Sequence, residues 1–312
     1  MKVHYQIEQL PVFNNPVLTI GSFDGVHQGH KAILEQLKSE AKKINGESIV
    51  ITFHPHPRKI IQHEETPALL TSIEERIIHF ETSGIDHLVI VPFDLGFSEL
   101  NAKEYILQFL LANFHPKMIV IGFDHRFGKD RNGDYNLLYE MGVENGYGVI
   151  EIPQKLLNDS KISSSQIRNG LLEGKVEEAQ GLLGYSYQLA GIVIKGDQLG
   201  RKIGYPTANL LIIDAEKLIP AGGVYAVSVK VYKDSTPLEK FGMMNIGYRP
   251  TVNGKERRIE VHILDFDDDI YGVKVAVELK YFIRKEIKFS GLDSLKEQLD
   301  RDKKNCASKL NA

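Results

Sequence analysis

Cysteine is nearly absent from this sequence. Its 312 residues contain one, Cys306, so neither an intramolecular disulfide nor a cysteine-based zinc site can form. A lone thiol fits a reducing compartment. Long apolar runs are missing as well. No stretch approaches the ~20 apolar residues that a membrane-spanning helix needs, and the start, Met1-Lys2-Val3-His4-Tyr5-Gln6, lacks the apolar stretch of a signal peptide. Nor is there an excess of charge of one sign. The 38 Lys and Arg stand against 41 Asp and Glu, a net charge of −3, which argues against a general nucleic-acid binder. These absences predict a soluble, cytoplasmic chain with neither membrane nor nucleic acid as a partner. What remains is an ordinary globular balance, 42% hydrophobic and 25% charged. At ~100–200 residues per domain, the length predicts two domains that bury their cores without staples.

Two patterns divide the chain. Residues 1–184 alternate strands and helices. Val17-Leu18-Thr19-Ile20, Ile49–Phe53, Leu88–Val91 and Met118–Ile121 are continuous apolar strands, as found in parallel sheets covered on both faces. Ile33, Leu34, Leu37 and Ala41 share one helical face, and Asn45-Gly46 stops that helix. Ser72 and Glu75 have capping-box spacing, and Asn101 is placed to cap a helix carrying Ile106, Phe109 and Leu110. The pattern predicts a Rossmann-like, doubly wound α/β domain. After Gly184 helical periodicity gives way to six short strand candidates, Gln188–Ile194, Thr207–Leu211, Val224–Tyr232, Phe241–Ile246, Ile259–Phe266 and Lys274–Phe282. Turn residues separate them, which predicts a small antiparallel β-barrel, and a helix with Leu292, Leu295 and Leu299 closes the chain. The first 184 residues hold 17 basic and 24 acidic side chains, the remainder 21 and 17. Charge and pattern thus change together near Gly184–Tyr187, giving expected domains of 1–184 and 185–312.

In the first half, the strand ending at Ile20 runs into Gly21-Ser22-Phe23-Asp24-Gly25-Val26-His27-Gln28-Gly29-His30, and a helix follows. Such strand-to-helix turns offer free amides to anions. Gly25 and Gly29 let a nucleotide approach the backbone, and Gly21 and Phe23 complete the candidate contacts. His27 and His30 lie three residues apart and project from nearly one face of a first helical turn. Two imidazoles there suit the α-phosphate of ATP and a departing pyrophosphate. The string resembles the H-x-G-H signature of the nucleotidyltransferase superfamily. A partner motif of that superfamily, a serine-rich helix start with an arginine, is matched by Ile162-Ser163-Ser164-Ser165-Gln166-Ile167-Arg168. Two further segments follow strands: Thr52-Phe53-His54-Pro55-His56-Pro57, whose prolines stiffen a loop able to wall a planar ligand, and Gly122-Phe123-Asp124-His125-Arg126-Phe127-Gly128. Together they resemble the adenylyltransferase half of the bacterial bifunctional riboflavin kinase/FAD synthetase family. By that resemblance Pro55, Pro57 and Asp124 lie near the flavin, and Ser164 and Arg168 near phosphates.

The second half opens with a glycine-rich segment, Gly191 to Gly204, without Walker A spacing, followed by Tyr205-Pro206-Thr207-Ala208-Asn209. Gly196, Gly200 and Thr207 are candidate ATP contacts. Thr207 and Asn209 alternate onto one side of an extended segment and offer the hard oxygens that Mg²⁺ prefers. In Arg258-Ile259-Glu260-Val261-His262-Ile263, Glu260 points away from the apolar face. The resemblance implies that Glu260 is the catalytic base of the kinase half and that Arg284 helps order the flavin side. The run Asp267-Asp268-Asp269 reads as a hairpin turn. The resemblance spans about Val17 to Asp302 and implies ATP and Mg²⁺ use, riboflavin and FMN as substrates, and FAD as product. An adenylyltransferase with a non-catalytic barrel, or a flavin- or nucleotide-binding regulator, are the alternatives.

Overall fold

The computed structural model describes residues 1–61, 67–153, 162–251 and 254–310, with backbone only over 249–251 and 254–256. The chain forms two compact units, Met1–Ser164 and Ser165–Ala312.

The first unit contains strands β1 (Lys2–His4), β2 (Val17–Ile20), β3 (Ser48–His54), β4 (His87–Pro92), β5 (Met118–Gly122) and β6 (Gly148–Ile152). They form one sheet in the order β1-β4-β3-β2-β5-β6, with every neighbouring pair parallel. Strand alternation explains the continuous apolar runs. Val17, Val50, Leu88 and Val120 face one side and pack with Leu34, Leu37 and Ala41 of helix α1 (Gln28–Lys43). Leu18, Ile51, Val89 and Ile119 face the other and meet Tyr105, Phe109 and Phe114. Between strands lie α2 (Pro57–Ile61) and α3 (Ile73–Thr82), the latter opened by the Ser72/Glu75 capping box. Asn101 also makes its cap, but the following stretch, Tyr105–Leu111, winds as a π-helix. Along this stretch the Tyr105, Phe109 and Phe114 rings meet in sequence, the first pair tilted and the second edge-to-face, with centroids 5.2 and 5.6 Å apart. The two sheet edges, β1 and β6, are additions to the four expected strands. β1 has three residues and β6 carries a polar Glu151 and exposed positions, so neither shows the apolar run of a central strand.

The second unit opens with two helices, Ser164–Leu172 (whose first residue closes the first unit) and Val176–Leu183. The amide of Ala221 donates to the carbonyl of Leu171 at 3.0 Å, tying the first of these to the strands beyond. These are β7 (Gln188–Ile194), β8 (Ala208–Ile212), β9 (Gly223–Tyr232), β10 (Leu238–Thr251), β11 (Gly254–Ile263) and β12 (Lys274–Arg284). They close into an antiparallel barrel in the order β10-β11-β8-β7-β12-β9. Tyr225, Val227 and Val229 point inward from β9. Val224 and Ala226 point outward, where they join Tyr205, Met243 and Cys306, the last of these on the closing helix Leu292–Leu310. Arg284 at the end of β12 grips that helix. Its Nε donates to both Asp302 oxygens at 2.9 and 3.0 Å, and its Nη2 to Oδ2 at 2.6 Å. Burial pushes the Cys306 thiol up to about 12.

The acidic run Asp267–Asp269 is not a hairpin turn. It lies between β11 and β12, which are not neighbours in the barrel. The strand order is a long-range property, and the connection crosses to another part of the barrel. Asp269 accepts from the Tyr271 amide at 3.1 Å, and Asp268 pairs with Lys233 at 3.1 Å.

Replacing Asp302 by Ala leaves a partly buried guanidinium without its carboxylate. The expected loss is about 3 kcal/mol in the unfolding of the barrel unit, read by calorimetry or urea titration. A loss within experimental error would show that Arg284 does not anchor the closing helix.

Candidate functional site

The strand order of the parallel sheet reverses at β2. The connection from β2 leads to β3 on one side, whereas β5 joins β2 on the other. In such sheets the crevice at the carboxyl ends of the strands flanking the reversal accepts ligands. The turn Gly21–His27 leaves β2 there. Its backbone is forced: Phe23, Gly25 and Val26 all have positive φ, of 49°, 85° and 32°, costly for a β-branched residue. What holds it is the buried carboxylate of Asp24. It accepts from the amides of Leu70 at 2.9 Å and Thr71 at 3.0 Å, and from the Thr71 hydroxyl at 3.2 Å. Thr71 returns the tie by accepting from the Gly25 amide at 2.9 Å. Arg76, from α3, adds a hydrogen bond to the Ser22 carbonyl at 2.8 Å and to the Thr52 hydroxyl at 3.2 Å.

At the end of this turn His27 caps α1, its Nδ1 accepting from the His30 amide at 3.4 Å. The two imidazoles stack with centroids 3.6 Å apart and planes at 14°. Gly29 sits close against them: a Cβ there would lie 3.2 Å from His27 Nδ1 and press on the ring. The Phe23 ring meets His30 edge-on at 5.1 Å and also sits 3.2 Å from where a Gly21 Cβ would be. The Ser164 hydroxyl donates to the Asp24 carbonyl at 2.8 Å, bringing the serine-rich helix start to the same turn. Arg168 is one helical turn further on and buried. Pro55 and Pro57 follow β3, Pro57 as the first residue of α2, and Asp124 is exposed just beyond β5. Candidates from three strands therefore gather at one end of the sheet. Asp24, Thr71 and Arg76, which hold the turn, were not legible as site residues because their partners are remote in sequence.

The barrel's candidates gather on its outer face. Glu260 of β11 is directly opposite Asn209 of β8 on one side and Asn245 of β10 on the other. Opposed residues in an antiparallel pair share a face, with Cβ atoms about 4.5–5.5 Å apart. Gly196 lies under Asn209: a Cβ at that position would sit 2.3 Å from the Asn209 side-chain nitrogen. Gly200 closes a tight turn, where a Cβ would meet the Tyr205 carbonyl oxygen at 2.1 Å. Thr207 lines a recess of about 60 Å³ together with Arg201, Pro206 and Asp267–Asp269. Arg258, on the face of Glu260, pairs with Asp197 of the glycine-rich segment at 2.8 Å. The Pro206 carbonyl lies 2.8 Å from His262 Nδ1. Arg284 is committed to Asp302, so its contribution to this face is to fix the chain that follows β12. Asn245 and Arg201 are additions to the residues picked from the sequence; only cross-strand register and loop packing reveal them.

Both halves match known families. A family model described as FAD synthetase covers residues 11–166, and one described as riboflavin kinase covers residues 183–310. The bifunctional riboflavin kinase/FMN adenylyltransferase of Escherichia coli strain K12 is 39% identical over 286 residues, covering 92% of this chain and 90% of that one. The chain belongs to the bifunctional riboflavin kinase/FMN adenylyltransferase family. Its Buchnera aphidicola (subsp. Schizaphis graminum) member is 40% identical over 308 residues, 97% of this chain and 96% of that one. A crystal structure of a Streptococcus pneumoniae chain described as a macrolide-efflux protein aligns with a TM-score of 0.84 and 32% identity, covering 97% of each chain. The likeness concerns fold, and the efflux it names is a statement about that protein. Among the described residues no helix is long and apolar enough to cross a membrane.

The histidine pair of this family member has a defined electrostatic state. Burial, and then the adjoining His27, hold the His30 pKa well below its ordinary value. Its Nδ1 is buried with no hydrogen-bond partner among the described residues. His125 is pushed in the same direction, to about 4, mainly by burial. Both are neutral when folded near pH 7. As pH falls below about 6.5, the unfolded chain takes up protons that the folded chain refuses, so the N-terminal unit loses stability toward acid. Thermal unfolding between about pH 7.5 and 5 should show this slope, and His30→Gln should flatten it in part, since His125 remains. An unchanged slope in that variant would show that His30 is not held neutral.

Proposed function

We propose that residues 1–184 carry the FMN adenylyltransferase, and residues 185–312 the riboflavin kinase, of a bifunctional flavin enzyme. The enzyme uses ATP twice, phosphorylating riboflavin to FMN and joining FMN to AMP to give FAD and pyrophosphate. The observation that carries the reading is positional. In each half, residues remote in sequence are brought together at a phosphate-handling turn, the Gly21–His30 turn in one and the Gly196–Asn209 segment in the other.

In the first half, the FMN phosphate attacks the α-phosphorus of ATP in line and pyrophosphate leaves. The nucleophile is already an anion, so no general base is needed, and catalysis reduces to positioning and charge stabilisation. The amides at the start of α1 donate to phosphate oxygens, with Gly21, Phe23, Gly25 and Gly29 shaping the approach. His27 and His30, stacked on one another, donate N–H to the α-phosphate and the departing pyrophosphate. Ser164 and Arg168 complete the phosphate contacts, Arg168 as a bidentate donor. Pro55, Pro57 and Asp124 border the flavin.

In the second half, Glu260 accepts the proton of the riboflavin 5′-hydroxyl as that oxygen attacks the γ-phosphorus of ATP. Gly196 and Gly200 let the chain pass close to the phosphates, and Thr207 contacts them. The Thr207 hydroxyl and the Asn209 amide oxygen are hard donors two residues apart, a set that fits Mg²⁺ bound chiefly through substrate phosphates. When bound, Mg²⁺ neutralises charge on the transferring phosphoryl group. Asn209 has room beside Gly196 and is directly opposite Glu260, so metal ligand and base share one side of the barrel. Arg284 orders the flavin side through Asp302. The cytoplasm, with its ATP and reducing poise, is the proposed location, consistent with a free Cys306.

Incubation with ATP, Mg²⁺ and either riboflavin or FMN, followed by chromatography of the flavins, tests the division. Glu260→Gln should reduce FMN formation at least a hundredfold and leave FAD formation from FMN intact. His30→Ala should do the reverse. Loss of both activities in either folded variant would count against separate sites. FAD from FMN without FMN from riboflavin in the parent enzyme would leave only the adenylyltransferase.

A further inference from the structure

Arg258 has no part in the reactions as derived above, yet it stands beside the group proposed to start one of them. It is two residues before Glu260 on β11, so both side chains leave the same outer face of the barrel. Roughly 7 Å of strand separates the two positions. Directly opposite Arg258 on β10 is Gly247, which offers no side chain. The guanidinium reaches the other way, toward β8, where its Nη1 donates to Asp197 Oδ2 at 2.8 Å. Asp197 belongs to the segment that joins β7 to β8. Its neighbour Gly196 packs so close to Asn209 that a Cβ there would lie 2.3 Å from the Asn209 side-chain nitrogen. Asn209 in turn is directly opposite Glu260. A cation, the proposed base and a proposed metal ligand therefore converge at one place on the barrel, and the partner of the cation is a carboxylate carried by the glycine-rich segment.

The planar fork of a guanidinium matches a carboxylate and a phosphoryl group alike. Both members of the Arg258–Asp197 pair keep contact with solvent, their side chains 27% and 42% exposed. An ion pair of that kind contributes little to stability, so exchanging its carboxylate for a phosphate is easy. We propose that Arg258 is a catalytic residue of the kinase half, which leaves Asp197 for the γ-phosphate of ATP and stabilises the charge on that group during transfer. Asp197 holds the seat of the phosphoryl oxygens until the nucleotide arrives. The bond from the riboflavin 5′-oxygen to the γ-phosphorus forms as the bond from that phosphorus to the β,γ-bridging oxygen breaks. The hydroxyl proton goes to Glu260 and the electron pair of the broken bond leaves with ADP. Arg258 stays protonated throughout and only donates hydrogen bonds. The inference rests on the reading of Glu260 as the base of this reaction.

Steady-state FMN formation tests it, because inhibition constants read in that reaction report the kinase site alone. Two competitors of ATP are compared: ADP, and an ATP analogue with a non-hydrolysable imido bridge between the β- and γ-phosphorus. In Arg258→Gln the inhibition constant of the analogue should rise about tenfold or more, the range for hydrogen bonds to a charged group, while that of ADP moves by less than about twofold. The kcat for FMN formation should fall by about a hundredfold, and Arg258→Lys, which keeps the charge without the fork, should recover part of it. Asp197→Asn removes the competing carboxylate and should strengthen inhibition by the analogue. If the pair merely fastened the glycine-rich segment, Asp197→Asn would weaken the analogue as Arg258→Gln does, and ADP would weaken with it. Either result, or an unchanged kcat in an Arg258→Gln variant that unfolds at the parent temperature, overturns the proposal. Failure of the base assignment is read separately, as FMN formation that survives Glu260→Gln.

Discussion

The first half of the molecule depends on one buried carboxylate. Asp24 takes three donors from Leu70 and Thr71, segments linked to it only through the fold. Without those bonds the turn after β2 would have no reason to hold Phe23 and Val26 in the left-handed region. With them, the turn delivers His27 as the cap of α1 and stacks it on His30. Strain at a ligand-binding turn persists only when surrounding bonds over-determine it, and here the restraint comes from residues that need never touch a nucleotide.

The barrel solves a similar problem by register rather than by strain. Its interior is filled with side chains, so its chemistry is written on the outside. Alternation along β11 sends Ile259, Val261 and Ile263 inward and leaves Glu260 outward between two asparagines. A shift of one residue would bury the carboxylate and expose the core. The position of Glu260 is therefore secured by the same hydrophobic pattern that stabilises the unit, and the glycines at 196 and 200 are the price of bringing a loop down onto that face.

The sequence made much of this legible, for local reasons. Continuous apolar strands, capping boxes and the H-x-G-H string are short-range patterns, and each has its expected place in the structure. The parallel sheet, the antiparallel barrel and the closing helix follow from them. What stayed hidden is non-local. The edge strands β1 and β6 lack a central strand's apolar signature. The order of strands around the barrel made the Asp267–Asp269 segment a crossover instead of a hairpin. The partnership of Asp24 with Thr71, of Asn245 with Glu260, and of Arg258 with Asp197 exists only once the chain is folded. Helical periodicity ends at Gly184, whereas the compact units divide at Ser164, because the two intervening helices pack with the barrel despite resembling the preceding α/β half.

Cys306 has a practical consequence. It is fully buried on the inward face of the closing helix with its thiol kept protonated by its surroundings, and thiolate is the form that electrophiles attack. The native enzyme thus presents alkylating and maleimide reagents with a silent background. A cysteine engineered onto the surface of either half would be the single reactive handle on the molecule, so fluorophores or spin labels can be attached at chosen points without first stripping out a native thiol.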